Sequence, residues 1–452
     1  MKNIALSVIS LFSSSLLMAG TISEQPSYAS LVVYNSNLGL IHEKREMQLD
    51  KGKQSLVYNE VASSVITESV NINLPKGVTL YSQQYRFDRI NAQKLAQAHL
   101  GKKVRFYIKT GSDLMYKEGT LLSASGQAVV KTKKDEIYTV PTSALIFSTI
   151  PKSLITKPSL VWNINAPKKS TSTLSMDYLI RNISWKSNYV LNIQKEYADL
   201  TGWITIDNRS GKAFENTDLT VLAGEINRVR ERQVRRYMAK GAIAVANDVE
   251  TAQESSHEGY HLYKIPFKVD LANNESTQLK FLNLNHIPIT RVYEVHMPSP
   301  LYSTGEQKHN VTQSIVINSL EKALPLGTIR SYSKQDKTTL LLGESHINHT
   351  PKHEEVKIRL GQNFDLIAKS TMRSNNSDRY YNDVTVSYEV TNRSSETKTV
   401  ELLIPFIKRN DNQNSVSTSQ KYSWKNGNTL SFKVLVKADS KKSFKVKFRA
   451  KK

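Results

Sequence analysis

The stretch Leu200-Thr-Gly-Trp-Ile-Thr-Ile-Asp-Asn-Arg-Ser-Gly-Lys-Ala-Phe-Glu-Asn-Thr-Asp-Leu-Thr-Val-Leu-Ala-Gly-Glu-Ile-Asn-Arg-Val229 decides the fold class. It holds two short runs of β-branched and large apolar residues, 203–206 and 219–222, which read as strands. The turn formers Asp207-Asn208-Arg209-Ser210-Gly211 join them. Such a unit is a piece of β-sandwich and not an active-site loop.

Working outward, the same texture recurs. Toward the N-terminus, runs at 30–34, 38–41 and 55–58 are separated by polar turns, and 69–74 alternates with period two, as a half-buried strand does. Residues 91–100 are rich in alanine, leucine, glutamine and lysine and stop at Gly101, which predicts one short helix. Short strands at 104–108, 119–123, 128–131, 136–140 and 144–147 predict a small barrel of SH3-like size. Strands at 159–164, 172–179 and 188–194 lead into the opening stretch. Residues 227–256 break the pattern. Arg228, Arg230, Arg232, Arg235 and Arg236 precede an alanine-rich run and a polar tail, which predicts a partly helical insertion. Strands resume at 261–269 and continue to the end. Val384, Val386 and Tyr388 alternate with Thr385, Ser387 and Glu389, and Phe444, Val446 and Phe448 with Lys445, Lys447 and Arg449. No βαβ rhythm is present, which argues against a nucleotide-binding α/β fold.

The expected fold is therefore mostly β. It comprises several antiparallel β-sandwich and small-barrel modules with one short helix and a partly helical insertion. The expected division is a signal peptide over 1–19, an N-terminal β domain over 20–100, and a small SH3-like barrel over 101–155. A first sandwich region follows over 156–299, carrying the insertion 227–256, and a C-terminal sandwich over 300–452.

Bulk properties narrow the function classes. Lys2 followed by the apolar run 4–18 and the small pair Ala19-Gly20 reads as a secretory signal, shorter than the ~20 residues of a spanning helix. No later apolar run reaches membrane length, so no transmembrane segment is expected in the mature chain. The chain has no cysteine, which excludes disulfides, thiolate zinc sites and thiol catalysis. The formal charge is +22. On an exported chain such charge points to anionic polysaccharide, lipopolysaccharide or an envelope protein as partner, and not to nucleic acid. The nucleic-acid alternative needs an aromatic stacking face, and Phe106, Tyr116 and Tyr138 are scattered. Residues 421–452 carry eleven Lys and Arg and one acid, Asp439.

Several segments in order resemble the DUF4139 family of bacterial envelope proteins of mucoidy-inhibitor type. They include Val33-Tyr34-Asn35 with 38–41, 99–104 with 119–124, and Tyr178-Leu-Ile-Arg-Asn-Ile-Ser-Trp-Lys-Ser-Asn-Tyr189. Gly202-Trp203, Asn208-Arg-Ser-Gly211, 214–216, 223–229, 260–263, 324–327, 343–344, 349–351, Gly361 and Phe364-Asp365 complete the set. The resemblance implies a multi-domain, mostly β, exported protein. It carries over no catalytic residue and no cofactor.

Few constellations could carry chemistry. His257-Glu258-Gly259-Tyr260-His261 spells the metalloprotease motif, which works when a helix sets both imidazoles on one face. Here Gly259 lies inside the motif and a strand pattern follows, where residues four apart are ~13 Å apart. His346, His349 and His353 form a second imidazole-rich patch beside Glu344, Glu354 and Glu355. A turn around Pro351 explains their polarity equally well. Trp185, Tyr189 and Trp203 are candidates for a sugar-stacking platform or for core. Lys445, Lys447 and Arg449 are candidates for an anion-binding face, or for lysines that keep a sheet edge soluble. Gly-x-Ser-x-Gly elbows and glycine-rich phosphate loops are absent from the sequence. The expectation is an exported, non-catalytic envelope protein, periplasmic or at the cell surface, that binds or scaffolds. The alternative is a metal-dependent hydrolase using His257 and His261 or the 346–353 patch. Export is expected to remove residues 1–19 or 1–20, and the mass of the secreted product checks this directly.

Overall fold

The structure is a computed structural model that describes residues 20–110, 112–151, 154–224, 253–257, 260–409 and 414–452. It is mostly β, with one α-helix, α1, at Ala92–Ala98. The insertion expected over 227–256 lies outside the described residues except for 253–256, which are strand. Two compact units emerge, one from Met1–Ser184, Asp207–Glu225 and Phe267–Ser276, the other from Trp185–Ile206, Ile226–Pro266 and Thr277–Lys452.

The chain opens with β1 (Thr21–Ile22), β2 (Tyr28–Tyr34), β3 (Leu38–Leu49), β4 (Gly52–Asn59), β5 (Asn71–Asn73) and β6 (Thr79–Arg86). After α1 come β7 (Lys103–Thr110), β8 (Asp113–Ser123), β9 (Gln127–Thr132), β10 (Ile137–Pro141) and β11 (Leu145–Ile146). These five pair in the order β10-β9-β8-β7-β11, with a 3-10 turn at Thr142–Ala144 before the last strand. β7 to β10 form a meander and β11 returns to β7, but the sheet is open, so the small barrel expected over this segment does not close. Helix α1 starts because Asn91 accepts from the Lys94 amide at 2.8 Å. Its Ala96 is buried in the core of this sheet, beside Phe106 and Val130. The module interrupts another sheet, since β6 pairs with β12 (Ser159–Ala166), Arg86 opposite Ser159. Asp88 fastens its neck. Its amide donates to the Ile155 carbonyl at 2.7 Å, and its carboxylate accepts from the Ile155 amide at 2.9 Å and from Lys94 at 3.1 Å.

The chain continues through β13 (Ser170–Arg181), β14 (Ile183–Ile193), β15 (Tyr197–Asn208), β16 (Phe214–Ala223), β17 (Gln253–His257), β18 (Tyr260–Leu271) and β19 (Glu275–Pro288). The two runs of the opening stretch are thus longer than their apolar cores suggest. One sheet has the order β17-β18-β16-β2-β3-β13-β5, with β1 beside β3.

The remaining strands are β20 (Thr290–His296), β21 (Glu306–Ile317), β22 (Gly327–Gln335), β23 (Thr338–Ile347), β24 (Val356–Ser377), β25 (Tyr381–Asn392), β26 (Lys398–Pro405), β27 (Asn414–Ser417), β28 (Ser423–Asn426), β29 (Thr429–Val436) and β30 (Ser440–Lys451). Nine form one sheet, β27-β30-β25-β24-β21-β20-β26-β29-β28. It folds over on itself around a single core, so that Phe432 of β29 meets Phe444 of β30 at 5.3 Å between ring centres. The sheets are mixed rather than purely antiparallel: β2 with β16, β14 with β22 and β20 with β26 run parallel.

One turn is built twice. At the end of β15, Asn208 is buried, and its Nδ2 donates to the carbonyls of Lys212, Leu271 and Ala272 at 2.9, 3.3 and 3.1 Å. Its Oδ1 accepts from the amide and hydroxyl of Ser210 at 3.2 and 2.7 Å. At the end of β25, Asn392 is buried, and its Nδ2 donates to Glu396, Val436 and Lys437 at 2.8, 3.2 and 3.1 Å. Its Oδ1 accepts from the amide and hydroxyl of Ser394 at 3.0 and 2.7 Å. The strands around each clamp correspond. β15 has β19 and β14 as neighbours and β25 has β30 and β24, while β16 lies between β18 and β2 and β26 between β29 and β20. Three residues beyond β18 and β29, Asn274 and Asp439 both take positive φ, 64° and 43°. The architecture is a tandem repeat of one strand order. Gly211 is required in the first copy. Its φ is +83°, and a Cβ there would lie 1.8 Å from the Ser63 hydroxyl.

Replacing Asn208 or Asn392 by alanine strands buried carbonyls in each case and is expected to cost on the order of 3 kcal/mol. Aspartate, which cannot donate, is expected to be no better than alanine. Urea unfolding of the four single variants checks this, and the two sites are expected to agree closely.

Candidate functional site

The alternation of β3 places an unusual pair inside the protein. Ile41, Met47 and Leu49 face inward, and between them so do Glu43 and Arg45, each 1% exposed. Across the ladder, Met176 lies opposite Glu43 and Leu174 opposite Arg45, both buried and apolar. A charge in such surroundings is tolerated only when paired and hydrogen-bonded. Arg45 donates to Glu43 at 2.9 Å and to the Asn59 carbonyl at 3.0 Å, and its guanidinium lies over the Tyr58 ring, 3.9 Å from the centre. The Tyr58 hydroxyl donates to the same Glu43 oxygen, and Lys212 donates to the other.

Lys212 reaches this site because of the clamp. Its carbonyl is one of the three held by Asn208, so the turn after β15 is fixed with the Lys212 side chain directed at Glu43. At the matching position of the second turn stands Glu396, whose side chain pairs with Lys398. The buried charge cluster therefore belongs to the first copy alone.

The cluster floors a cleft of about 420 Å³ with Pro26, Val61, Pro158 and Phe214 among its walls and the ion pair Glu60–Lys157 at its margin. Burial pushes the Glu43 carboxyl up, and the charges of Lys212 and Arg45 with the hydrogen bonds of Lys212 and Tyr58 outweigh it, so Glu43 titrates below its ordinary value. Burial lowers Lys212, with Arg45 acting in the same sense, against the opposing charge of Glu43. Burial and the Glu43 carboxylate raise the Tyr58 hydroxyl far above its ordinary value, so Tyr58 is a donor at every physiological pH. A larger hollow, about 540 Å³, lies on the SH3-like module. Its lining holds five lysines and three acids, with Lys131–Asp135 and Lys117–Glu136 among its pairs, exposed to solvent where such pairing is worth little.

The residues singled out from sequence are dispersed. Trp185 and Tyr189 are buried core residues of β14, and Tyr189 donates to the Pro325 carbonyl at 2.7 Å. Trp203 is half-buried, on the face of β15 opposite Ile204 and Ile206. The three do not form an exposed platform. His257 and His261 stand on two strands of a hairpin, His257 opposite Tyr260 and His261 opposite Ser256. The helical geometry on which the metalloprotease motif depends is not there. His346, His349 and His353 are exposed. His349 accepts from the Leu326 amide at 3.2 Å and His353 sits 3.4 Å from the Ser319 hydroxyl, which is the turn-stabilising use of these side chains. Among the described residues, no three His, Asp or Glu are grouped to hold a metal, and no helix is long and apolar enough to cross a membrane.

Lys445, Lys447, Arg449 and Lys451 are exposed on one face of β30, while Phe444, Val446, Phe448 and Ala450 enter the core. Lys433 and Lys437 are exposed as well. Ser387 and Thr385 of β25 lie opposite Lys445 and Lys447, and Ser417 and Ser415 of β27 opposite Lys447 and Arg449. Asp383 lies 3.7 Å from Arg449, and its ring neighbour is Tyr381 at 4.4 Å. Among the described residues, no carboxylate lies within ion-pair distance of Lys445 or Lys447.

Protein-family models searched against the chain give no match, and no curated protein matches it.

The buried cluster has a sharp energetic signature. Glu43→Gln removes its one anion and leaves two buried cations, an expected loss of about 3–5 kcal/mol. Lys212→Met leaves the neutral Glu43–Arg45 pair and is expected to cost far less. Because the folded-state value of Glu43 is depressed, its contribution is present above the ordinary carboxylate range and is lost as pH falls through the depressed value. Urea unfolding of both variants, with an acid titration of the parent, checks these outcomes.

Proposed function

We propose that this protein is an exported component of the bacterial cell envelope that binds anionic polymer, lipopolysaccharide or acidic polysaccharide, without catalysing a reaction. The observation that carries this reading is the outer face of β30. Four cations project from alternate positions of one strand, and Lys445 and Lys447 have only hydroxyl side chains opposite them. Alternate positions are roughly 7 Å apart along a strand. That is inside the ~8 Å Debye length at physiological ionic strength, so the charges reinforce one another toward a polyanion. Rigid strand geometry presents them in a line, which suits an extended polymer better than a compact ion. The signal-like segment over 1–19 and the resemblance to the envelope family support the location.

The triple variant Lys445→Gln, Lys447→Gln, Arg449→Gln is expected to keep the circular dichroism spectrum and melting temperature of the parent. Its retention on immobilised lipopolysaccharide or acidic polysaccharide is expected to fall, and to depend less steeply on salt than that of the parent. Equal retention of the two proteins across a salt series would remove the basis for this reading.

A further inference from the structure

The cleft over Glu43 is unrelated to the β30 face, and the charge of its buried floor is unbalanced. Two buried cations, Arg45 and Lys212, meet one buried anion, Glu43. Glu60 is close enough to be felt by Lys212, but it is engaged by Lys157. Around the rim Lys157 stands with Glu60 and the exposed Glu215, so the excess of one positive charge is confined to the buried floor of Glu43, Arg45 and Lys212. The donor count points the same way. Arg45 Nε is buried with no hydrogen-bond partner among the described residues. Lys212 has three N–H donors, and Glu43 takes one of them. Its side chain is 13% exposed, so the ammonium group is within reach of the cleft.

We propose that this cleft binds the carboxylate of a small organic acid, with Lys212 contacting the carboxylate directly, Arg45 adding its charge from behind, and Pro26, Val61 and Phe214 packing on the ligand's carbon skeleton. The size fits, since small-molecule sites span ~300–1,000 Å³ and this cleft has about 420 Å³. The charge class follows from the excess. A single carboxylate brings the floor to neutrality, whereas a phosphate dianion would leave a buried negative charge in its place. The walls set Pro26, Val61 and Phe214 beside the polar Gln25 and Thr217, so the ligand's carbon skeleton packs on the first three and its polar substituents meet the other two.

The test uses the purified mature protein with acetate, benzoate and D-glucuronate as probes, and D-glucose and inorganic phosphate as comparators, read by calorimetry and thermal shift. At least one of the three acids is expected to bind and to raise the melting temperature in a concentration-dependent way, with D-glucose inactive. Lys212→Met is expected to weaken that binding about ten-fold or more, the loss of one charge-assisted hydrogen bond. A second readout needs no variant: the bound acid is expected to protect Lys212, and not Lys157, from an amine-acylating reagent, as mapped by mass spectrometry. The proposal is overturned if none of the three acids binds, if the acid binds Lys212→Met as tightly as the parent, if it leaves Lys212 labelling unchanged, or if phosphate binds more tightly than every acid.

Discussion

An asparagine amide that satisfies three carbonyls with its nitrogen and a serine with its oxygen is the interaction on which this architecture depends. Antiparallel sandwiches need their strands to cross from one sheet to another without stranding buried backbone groups. At Asn208 and Asn392 one side chain does this for two turns at once. It ties the loop that leaves its own strand to the end of a strand from a later hairpin, about sixty residues on in the first copy and about forty-five in the second. The distance along the chain explains why a side chain is used. A backbone turn can satisfy only its near neighbours, whereas an amide with two donors and an acceptor reaches across to another segment.

The clamp also decides where chemistry can sit. Once a turn is held at three points, its next side chain is aimed, and in the first copy that side chain is Lys212. Its charge would be intolerable so deep without Glu43, and Glu43 would be intolerable without a cation. Strand β3 thus carries two charged residues where its pattern calls for valine or leucine, and the turn supplies the third. Well-packed apolar residues of similar volume serve stability as well as or better than such a cluster. Its presence in one copy of a repeat, with Glu396 at the equivalent place in the other, marks it as something the fold itself does not require.

The alternating strands at 384–388 and 444–448 were legible because period two with a wet outer face leaves a plain trace. The helix at 92–98 was legible from propensity and its glycine stop, and the five strands after it from their turn spacing. The parallel pairings β2 with β16 and β20 with β26 left no such trace, since they join segments far apart in sequence. The repeat went unread in the sequence although Asn-Arg-Ser stands at both 208–210 and 392–394, because only the pairing of distant strands shows that the two turns are equivalent. Glu43 and Arg45 could have been read too. Ile41, Met47 and Leu49 share one parity along β3, and the charged pair at positions 43 and 45 falls on it. Aromatic residues left two readings open because size signals burial and stacking alike; Trp185 and Tyr189 are core, while Trp203 is half-buried on the other face of its strand.

The placement of lysines on β30 bears on whether charge there serves solubility or binding. Lysines that guard an edge belong on a strand whose backbone would otherwise recruit another chain. Strand β30 has β25 along one side, and β27 covers the other side over residues 447–450, so Lys447 and Arg449 flank backbone that is already paired. Edge protection does not account for them. Solubility alone is served by charges of both signs scattered over a surface, and cations in line on one strand with hydroxyl neighbours repel one another at a cost to the fold. The neighbouring acids lie toward the two ends of the strand, Asp383 near Arg449 and Glu389 near Lys441. On the function proposed above, a negative charge brought from outside lowers the energy of the remaining row, and a linear polyanion matches an array spaced by the strand repeat.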